Sequence, residues 1–136
     1  MIFIDTSWFY AVEVEQDKYH EEAVKTKRNL AKGEYGIPYT SNYVIDETIT
    51  LLRFKASLKA ALAFKKKVET SQVLHVIRIS KHLEEKANEN LKKYRELPLS
   101  FTDCASIGVM EDLTIQKILG FDEDFRKAGY IVYPQL

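Results

Sequence analysis

The sequence contains a single cysteine, Cys104, so no disulfide bond can form within the chain. Its apolar helical surroundings predict a small buried hydrophobic residue in a reducing compartment, most simply the cytoplasm. No apolar stretch approaches the roughly 20 residues that a membrane-spanning helix needs. The first apolar run starts at Met1 and leaves no room for a basic leader, so we expect neither an export signal nor contact with a membrane.

Net charge is also absent, because 20 Lys and Arg residues balance 20 Asp and Glu residues. The chain therefore has no overall attraction for a polyanion, and any contact with nucleic acid must depend on local groups. The three histidines lack the spacing of metal ligands, and the sequence has no glycine-rich phosphate loop or GxSxG motif. Acyl-transfer chemistry is poorly supported, since Cys104 has no evident histidine partner.

What is present is a globular composition, with 46% hydrophobic and 29% charged residues in 136. This length is that of one typical domain, so we expect a single domain spanning residues 1–136. Apolar runs rich in branched residues predict strands at 1–4, 37–39, 73–79, 115–121 and 130–133. Helical spacing predicts helices at about 8–14, 17–33, 43–55, 57–69, 80–94 and 101–113, with a short helical turn after 121. The predicted N-terminal caps are Asp17, Ser41 or Asn42, Ser57 and Ser80.

Strands and helices alternate along the whole chain, which favours a parallel sheet covered on both faces. We therefore predict an α/β fold, a three-layer α/β/α sandwich with a mainly parallel central sheet. In such folds ligands bind outside the carboxyl ends of the strands. Asp5 and Asp122 follow the first and the fourth predicted strand, so both are expected at that edge.

Four carboxylates stand out by position: Asp5, Glu47, Asp103 and Asp122. Taken singly, three of them have ordinary explanations, because Asp5 can cap a helix, Asp103 can favour a helix dipole and Asp122 can sit in a turn. Glu47 lies at the margin of the apolar stripe of its helix, where an unpaired carboxylate is costly. Their joint placement favours a shared site over four separate explanations.

Hard divalent ions such as Mg²⁺ take oxygen ligands, and a few converging carboxylates can hold one beside a phosphodiester. One ion can polarise a phosphoryl oxygen and activate water, and a second ion can stabilise the leaving oxygen. The four acids therefore suggest a metal-dependent nuclease site.

Four spaced segments also resemble a known family in the expected order. They are residues 5–7 (DTS), 40–48 (TSNYVIDET), 99–104 (LSFTDC) and 120–125 (GFDEDF). Across the whole chain they resemble a PIN domain, in particular the short single-domain VapC-type toxins. The resemblance implies a PIN-like fold and endonucleolytic cleavage of RNA that depends on Mg²⁺ or Mn²⁺.

The resemblance further implies that Asp5, Glu47, Asp103 and Asp122 are the acidic quartet that binds metal and positions the attacking water. Many relatives read Phe-Asp-x-His-Phe in the last segment, whereas this chain has Asp124 in place of the histidine. The extra carboxylate is expected either to join the metal shell or to lie at its rim, and it ranks second to Asp122.

Residues around the quartet are the expected substrate contacts. Thr6 and Thr102 would supply hydroxyl groups next to the acids, and Arg53 would meet a phosphate, with Lys55 and Lys59 as further basic candidates. A solvated helix face explains most of these basic residues equally well.

Three aromatic residues follow Asp5 directly: Trp8, Phe9 and Tyr10. Stacking on unpaired bases is one interpretation of them. Aromatic residues at helical spacing are more often core or interface residues, and Phe9 in particular is predicted to lie in the core.

As partners, the resemblance implies an RNA substrate, a second copy of the chain in a homodimer, and a small VapB-like antitoxin whose C-terminal segment covers the acidic groove. Two other hypotheses remain open. The first is a PIN-like module that binds RNA or protein and cuts poorly. The second is a phosphatase of the haloacid dehalogenase type, which is less supported because that chemistry needs Asp-x-Asp and Ser7 holds the second position.

Overall fold

The computed structural model describes all of residues 1–136 and contains five strands and seven helices. The strands are β1 (Ile2–Ile4), β2 (Pro38–Ser41), β3 (His75–Ile77), β4 (Lys117–Leu119) and β5 (Ile131–Tyr133). The helices are α1 (Thr6–Glu13), α2 (His20–Ala31), α3 (Asn42–Lys55), α4 (Leu58–Thr70), α5 (Lys81–Lys93), α6 (Phe101–Leu113) and α7 (Asp124–Lys127). None of these helices combines the length and apolarity that would let it cross a membrane.

All five strands are parallel, and their order across the sheet is β3-β2-β1-β4-β5. The three residues of β1 are at most 1% exposed. Since successive side chains of a strand point to opposite faces, this burial means that both faces of the sheet are covered. The predicted three-layer α/β/α sandwich is thus confirmed.

Contacts between helices complete the two outer layers. Trp8 of α1 donates its Nε1–H to Thr26 of α2 at 2.8 Å, and Phe9 of α1 packs edge-on against Phe64 of α4 with centroids 5.2 Å apart. Elsewhere Asn90 of α5 donates to the carbonyl of α6 residue 104 at 3.1 Å. Trp8, Phe9 and Phe64 belong to one core cluster of 24 buried hydrophobic residues.

Polar side chains fix most helix starts, and four of these caps, Asp5, Ser41, Ser57 and Ser80, are predicted from the sequence. The residues that cap helices by accepting a backbone hydrogen bond are Asp5, Ser41, Ser57, Ser80 and Ser100. The prediction that Asp17 caps the second helix is wrong, because α2 starts at His20 after Tyr19. Asp17 instead accepts the backbone N–H of Tyr19 in the preceding turn.

Two predicted strands are shorter than their sequence pattern suggests. The run 73–79 contributes only His75–Ile77, which pairs on one side with β2 and forms one edge of the sheet. The run 115–121 contributes only Lys117–Leu119, because the chain then turns away towards the end of β1. The branched residues outside these two paired segments fit the sequence pattern of a strand, but they do not pair with a neighbouring strand.

Cys104 is fully buried in α6, as expected. Burial raises the pKa of its thiol to about 11, so it is a packing residue with little thiolate at neutral pH.

The order of the strands places a crevice between β1 and β4. From β1 the chain moves outward to β2 and β3, and it then returns across the sheet to β4 on the other side of β1. Neighbouring connections at β1 and β4 therefore leave in opposite directions, which opens a crevice outside their carboxyl ends. This crevice holds the cleft described next.

Candidate active site

A cleft of about 630 Å³ opens at the carboxyl ends of β1 and β4. Its walls come from the segment after β1, the turn before α2, one side of α3, the start of α6 and the segment after β4. All four acids singled out in the sequence line it: Asp5, Glu47, Asp103 and Asp122. The fold therefore brings together carboxylates that are separated by up to 117 positions in the chain.

Asp5 is the deepest of the four, only 4% exposed, because it follows the fully buried β1 and caps α1. Its Oδ2 accepts the Ser7 hydroxyl at 2.7 Å and the Ser7 backbone N–H at 3.3 Å. Oδ1 accepts no hydrogen bond from the protein. The next hydroxyl, Oγ1 of Thr6, is the one buried side-chain polar atom without a hydrogen-bond partner. Buried polar groups are nearly always paired, so this end of the cleft has spare capacity for a ligand.

Ser7 ties the end of β4 to Asp5. The backbone N–H of Phe121 donates to the Ser7 hydroxyl at 2.9 Å, and that hydroxyl donates to Asp5. The two segments meet at Gly120, where an added Cβ would lie 3.1 Å from the Asp5 Cβ and 3.2 Å from the Ser7 Oγ. A larger residue would have to displace Asp5 or Ser7 by a few tenths of an ångström, so glycine allows this close approach, which carries Asp122 to the cleft.

Asp103 lies in the first turn of α6 and is held by a capping box. Its Oδ2 accepts the backbone N–H of Ser100 at 2.9 Å, and the Ser100 hydroxyl accepts the backbone N–H of Asp103 at 3.0 Å. The Asp103 carboxylate therefore serves both the capping box and the cleft. Capping engages one of its oxygens and fixes the direction of the side chain. Asp103 therefore lies in the first turn of a helix, as its local explanation requires, and also lines the cleft beside the other three acids.

The acids raise one another's pKa. Burial raises the pKa of Asp5 to about 7, and the charges of Asp103 and, less strongly, Glu47 act in the same direction against the hydrogen bonds from Ser7. Burial also raises the pKa of Asp103 to about 6, assisted by the charges of Asp122 and Glu47 and opposed by its hydrogen bonds to Ser100. Like charges that lie this close disfavour ionisation of their neighbours, so the four acids act as one electrostatic group.

Asp122 lies at the rim, where burial raises its pKa and the neighbouring acids Asp124 and Glu123 raise it further. Its Oδ1 accepts the backbone N–H of Asp124 at 2.9 Å, which starts the short helix α7. Asp124 itself does not line the cleft, and its carboxylate lies 3.7 Å from the ammonium of Lys127. Asp124 thus lies next to Asp122 but outside the lining of the cleft, which agrees with the rim position rather than with the metal shell.

None of the four cleft acids forms a salt bridge. As the side chains stand, no three acidic, histidine or cysteine side chains are arranged to hold a metal ion together. The donor set nevertheless fits a hard divalent cation, because it consists of carboxylate oxygens without counterions. Oδ1 of Asp5 accepts no hydrogen bond from the protein and is therefore one oxygen that an ion could bind without breaking a contact.

The predicted substrate contacts have mixed positions. Thr6 lines the cleft, whereas Thr102 and Arg53 do not, and Arg53 is exposed on α3 with its guanidinium over Phe54. The basic residue that reaches the cleft from α3 is Lys55. The two are separated by roughly 200° around a helix, so the helix places them on different sides.

Among the aromatic candidates, Trp8 and Phe9 are buried in the core, at 4% and 8% exposure, so base stacking is excluded for both. Tyr10 lines the cleft. Two further aromatic residues line the cleft, Tyr19 and Phe121. The sequence pattern places Tyr19 in the helix predicted at 17–33 and Phe121 in the strand predicted at 115–121, and it gives neither a role in the site. No local pattern marks them, because they meet across 102 positions of the chain.

Comparison with known proteins agrees with this geometry. The model of the PIN domain family matches residues 2–130. The chain belongs to the PIN domain family.

Two relatives are similar over most of their length. One is the 23S rRNA-specific endonuclease VapC20 of Mycobacterium tuberculosis (strain ATCC 25618 / H37Rv), 36% identical over 131 residues that cover 96% of each chain. The other is a VapC ribonuclease of Archaeoglobus fulgidus, 33% identical over 123 residues, or 90% of this chain and 77% of the relative.

Solved structures show the same PIN fold. The crystal structure of M. tuberculosis VapC20, described as a sarcin-ricin loop cleaving toxin, matches with a TM-score of 0.86 and 35% identity, covering 96% of this chain and 97% of that one. FitAcB from Neisseria gonorrhoeae matches with a TM-score of 0.69 and 14% identity over 98% of this chain and 96% of that chain. The first match agrees with assignment to the VapC type of PIN domain, and the second supports the fold alone.

Proposed function

We propose that this protein is an endoribonuclease that hydrolyses RNA phosphodiester bonds with Mg²⁺ or Mn²⁺, and that it is the toxin of a VapBC-like pair. The observation that carries the proposal is the cleft in which Asp5, Glu47, Asp103 and Asp122 converge although none of them forms a salt bridge. Uncompensated carboxylates destabilise a fold, so their presence together is best explained by a cation that binds them. The VapC relatives support the same activity.

Each acid has a defined part in this proposal. Asp5 and Asp103 would hold the ion, with Ser7 and Ser100 fixing the direction of the two carboxylates. Glu47 and Asp122 would add further carboxylate oxygens to the donor set. A divalent cation bound there supplies charge that neutralises a phosphoryl oxygen and lowers the pKa of water.

The chain's other cleft residues act on the RNA itself. Lys55 at the end of α3 is exposed beside the acids and offers an ammonium to a neighbouring phosphate. The unpaired Thr6 hydroxyl is available to donate to an oxygen of the substrate or of a water molecule. No side chain of the cleft is a strong nucleophile, so attack by water is the reaction that the site supports.

Large-subunit ribosomal RNA is the first substrate to test, because the 36% identical relative is named for cleavage of 23S rRNA. The structure of that relative is described as that of a sarcin-ricin loop cleaving toxin, so we propose the same loop as the primary candidate. Action on ribosomal RNA would place the enzyme in the cytoplasm.

The experiment is incubation of purified protein with total RNA, with Mg²⁺, with Mn²⁺ and with chelator, followed by a denaturing gel and mapping of new ends. The matched variants are Glu47→Gln and Asp46→Asn, which remove neighbouring charges from α3, one in the cleft and one exposed to solvent. We expect metal-dependent cuts that Glu47→Gln reduces by about a thousandfold, equivalent to about 4 kcal/mol of barrier, whereas Asp46→Asn leaves them unchanged.

A catalytically weak RNA-binding or protein-binding module is the second candidate. It is favoured by one observation, that no three acids stand ready to hold an ion. RNA that binds without being cut under either metal, after any copurified antitoxin has been removed, would support this module and contradict the nuclease.

The partners follow from surface chemistry. A cleft with four unpaired carboxylates is complementary to a basic side chain, as a VapB-like antitoxin would present.

Large apolar side chains near the α3–α4 connection are exposed: Phe54 (80%), Leu58 (52%) and Leu62 (57%). Exposed apolar clusters mark interaction sites, so we propose this surface as the interface of a homodimer. Light scattering on the same preparation would measure the molar mass and so show whether the protein is a dimer.

A further inference from the structure

A stacked aromatic pair lies in the same cleft as the four acids. The rings of Tyr19 and Phe121 are parallel, with an interplanar angle of 1° and centroids 4.4 Å apart. Both side chains line the cleft and both are only partly buried. Tyr19 precedes α2, and Phe121 immediately precedes Asp122. Both residues also pack against the hydrophobic core, which holds the rings in place, and the part of each side chain that remains accessible lies in the cleft, where a planar ring can stack on the pair.

Hydrogen bonds fix the pair in relation to the acids. The backbone N–H of Tyr19 donates to Asp17 at 3.0 Å, which orders the turn that carries its ring. The backbone N–H of Phe121 donates to Ser7, and Ser7 donates to Asp5. One end of the stack is thus connected through a single serine to the deepest carboxylate of the cleft. Such pre-organisation lowers the entropic cost of holding a ligand.

A lysine ammonium group lies beside the aromatic pair. The ammonium of Lys18 lies 4.9 Å from the centre of the Tyr19 ring, and Lys18 is exposed at the mouth of the cleft. Its long side chain can move from the ring to a phosphate as a base approaches. An aromatic surface beside a mobile cation is the combination that binds single-stranded nucleic acid, where stacking contributes about 1–3 kcal/mol per base.

We propose that Tyr19 and Phe121 form a nucleobase platform that binds the base of the nucleotide adjacent to the phosphodiester bond that is cut, with Lys18 contacting a phosphate. This inference rests on the proposed function, since that function places the bond at the acids. The platform selects unpaired nucleotides over paired ones, because only an unstacked base can reach a ring in the cleft. Stacking alone does not distinguish one base from another.

The test compares two labelled probes with equal phosphate charge, a short oligoadenylate and the corresponding oligomer of abasic ribose phosphates. Binding is measured by fluorescence polarisation with Mg²⁺ in an Asp103→Asn background, which retains the oxygen that accepts from Ser100 while preventing cleavage. We expect oligoadenylate to bind about tenfold more tightly than the abasic probe, and Tyr19→Leu to abolish this preference by weakening oligoadenylate binding only. Tyr19→Phe retains the preference.

Tyr10→Leu is the matched control, because Tyr10 lines the cleft outside the stack. Phe121→Leu is a second variant in case Tyr19→Leu does not fold, as judged by thermal melting. Equal weakening of both probes by Tyr19→Leu would reveal a structural role and overturn the inference, as would an undiminished preference or failure of either probe to bind the background protein.

The outcomes separate this inference from the proposed function. A base preference that depends on Tyr19 in a protein that cuts no RNA would retain the platform and refute the nuclease. Metal-dependent cleavage without any base preference would retain the nuclease and refute the platform.

Discussion

Two concave surfaces of this protein differ in chemistry and in their effect on stability. The acidic cleft, of about 630 Å³, gathers four carboxylates at the carboxyl ends of β1 and β4. A second groove, of about 750 Å³, lies among α1, α2, α4 and the sheet and is lined mainly by apolar residues such as Trp8, Leu30 and Phe64. The groove is the larger and the more apolar of the two, yet it holds no cluster of reactive groups. Topology and charge, rather than volume, identify the candidate active site.

The two surfaces also contribute to folding with opposite sign. Side chains of the groove remove apolar area from water and stabilise the fold. Carboxylates of the cleft are buried beside like charges and destabilise it, as the raised pKa values of Asp5 and Asp103 indicate. Removing a side chain from the groove should therefore lower stability without affecting cleavage, and removing a charge from the cleft should do the reverse.

The largest expected effect tests the groove. Phe64 is 2% exposed and packs against Phe9, so Phe64→Ala should lower the free energy of unfolding by about 3–5 kcal/mol. Cleavage per folded molecule should not change, since the residue lies outside the cleft. Denaturant titration and an RNA cleavage assay measure the two quantities.

Val73→Ala is the control for this prediction, because Val73 lines the same groove but is 68% exposed. Its loss of stability should be below about 1 kcal/mol. A change in cleavage rate with Phe64→Ala at full folding would contradict the separation of the two surfaces.

The next effect tests the cleft in the metal-free protein. The pKa of Asp5 is raised in the folded state to about 7 from an ordinary value of 3.8, so between these pH values the folded protein binds more protons than the unfolded chain. The contribution of Asp5 to stability is therefore present at low pH and is lost as the pH rises through about 7. The asparagine side chain of Asp5→Asn carries no charge at any of these pH values. At pH 8 this variant should be more stable than the wild type by roughly 1–3 kcal/mol, and near pH 4 the two should differ little.

Thermal melts in chelator across this pH range measure the difference, with Asp46→Asn as the exposed control. The choice of asparagine matters, because its amide oxygen can still accept from Ser7 and preserve the cap. Alanine would remove the cap together with the charge and confuse the two effects. A loss of stability at pH 8 with Asp5→Asn would contradict the view that the acids repel.

Much of this site could be predicted from sequence because its signals are local. An apolar run that stops at Asp5 identifies both a strand and its carboxyl end, and helical spacing places Glu47 at the edge of an apolar stripe. The same reasoning set a local helix role, as a cap for Asp5 and as a partner of the helix dipole for Asp103, against membership of a shared site. In the structure Asp5 caps α1 and Asp103 completes the capping box of α6, and both line the cleft, because a carboxylate has two oxygens that can serve different partners.

What the sequence did not predict depends on contacts between distant residues. The stacking of Tyr19 on Phe121 and the hydrogen bond from Phe121 to Ser7 join positions more than 100 residues apart. Lys55 lies eight residues after Glu47 and therefore on the same side of α3, so helical spacing counted from Glu47 favours Lys55 over Arg53 as the basic residue of the cleft. The length of β3 was overestimated, because pairing with β2 ends before the run of branched residues does.

The smallest expected effect tests how closely the two sides of the cleft must approach. Gly120 has an ordinary negative backbone angle, so only the space around its Cα limits substitution. A Cβ at this position would lie 3.1 Å from the Asp5 Cβ and 3.4 Å from the Asp5 Oδ2, so Gly120→Ala must displace Asp5 or Ser7 by a few tenths of an ångström. Because catalysis is sensitive to such displacements, we expect kcat/KM to fall by about tenfold while stability changes by about 1 kcal/mol or less.

Gly108→Ala is the control, because its added Cβ would meet Lys86 at a similar 3.2 Å within the α5–α6 contact, away from the cleft. Cleavage should be unchanged in that variant, and alanine should favour the helix. Equal activity of Gly120→Ala and the wild type would mean that the position of Asp5 tolerates displacement, so that the acids act through their combined charge. A selective loss with Gly120→Ala would instead show that the junction of β1 and β4 sets the geometry on which cleavage depends.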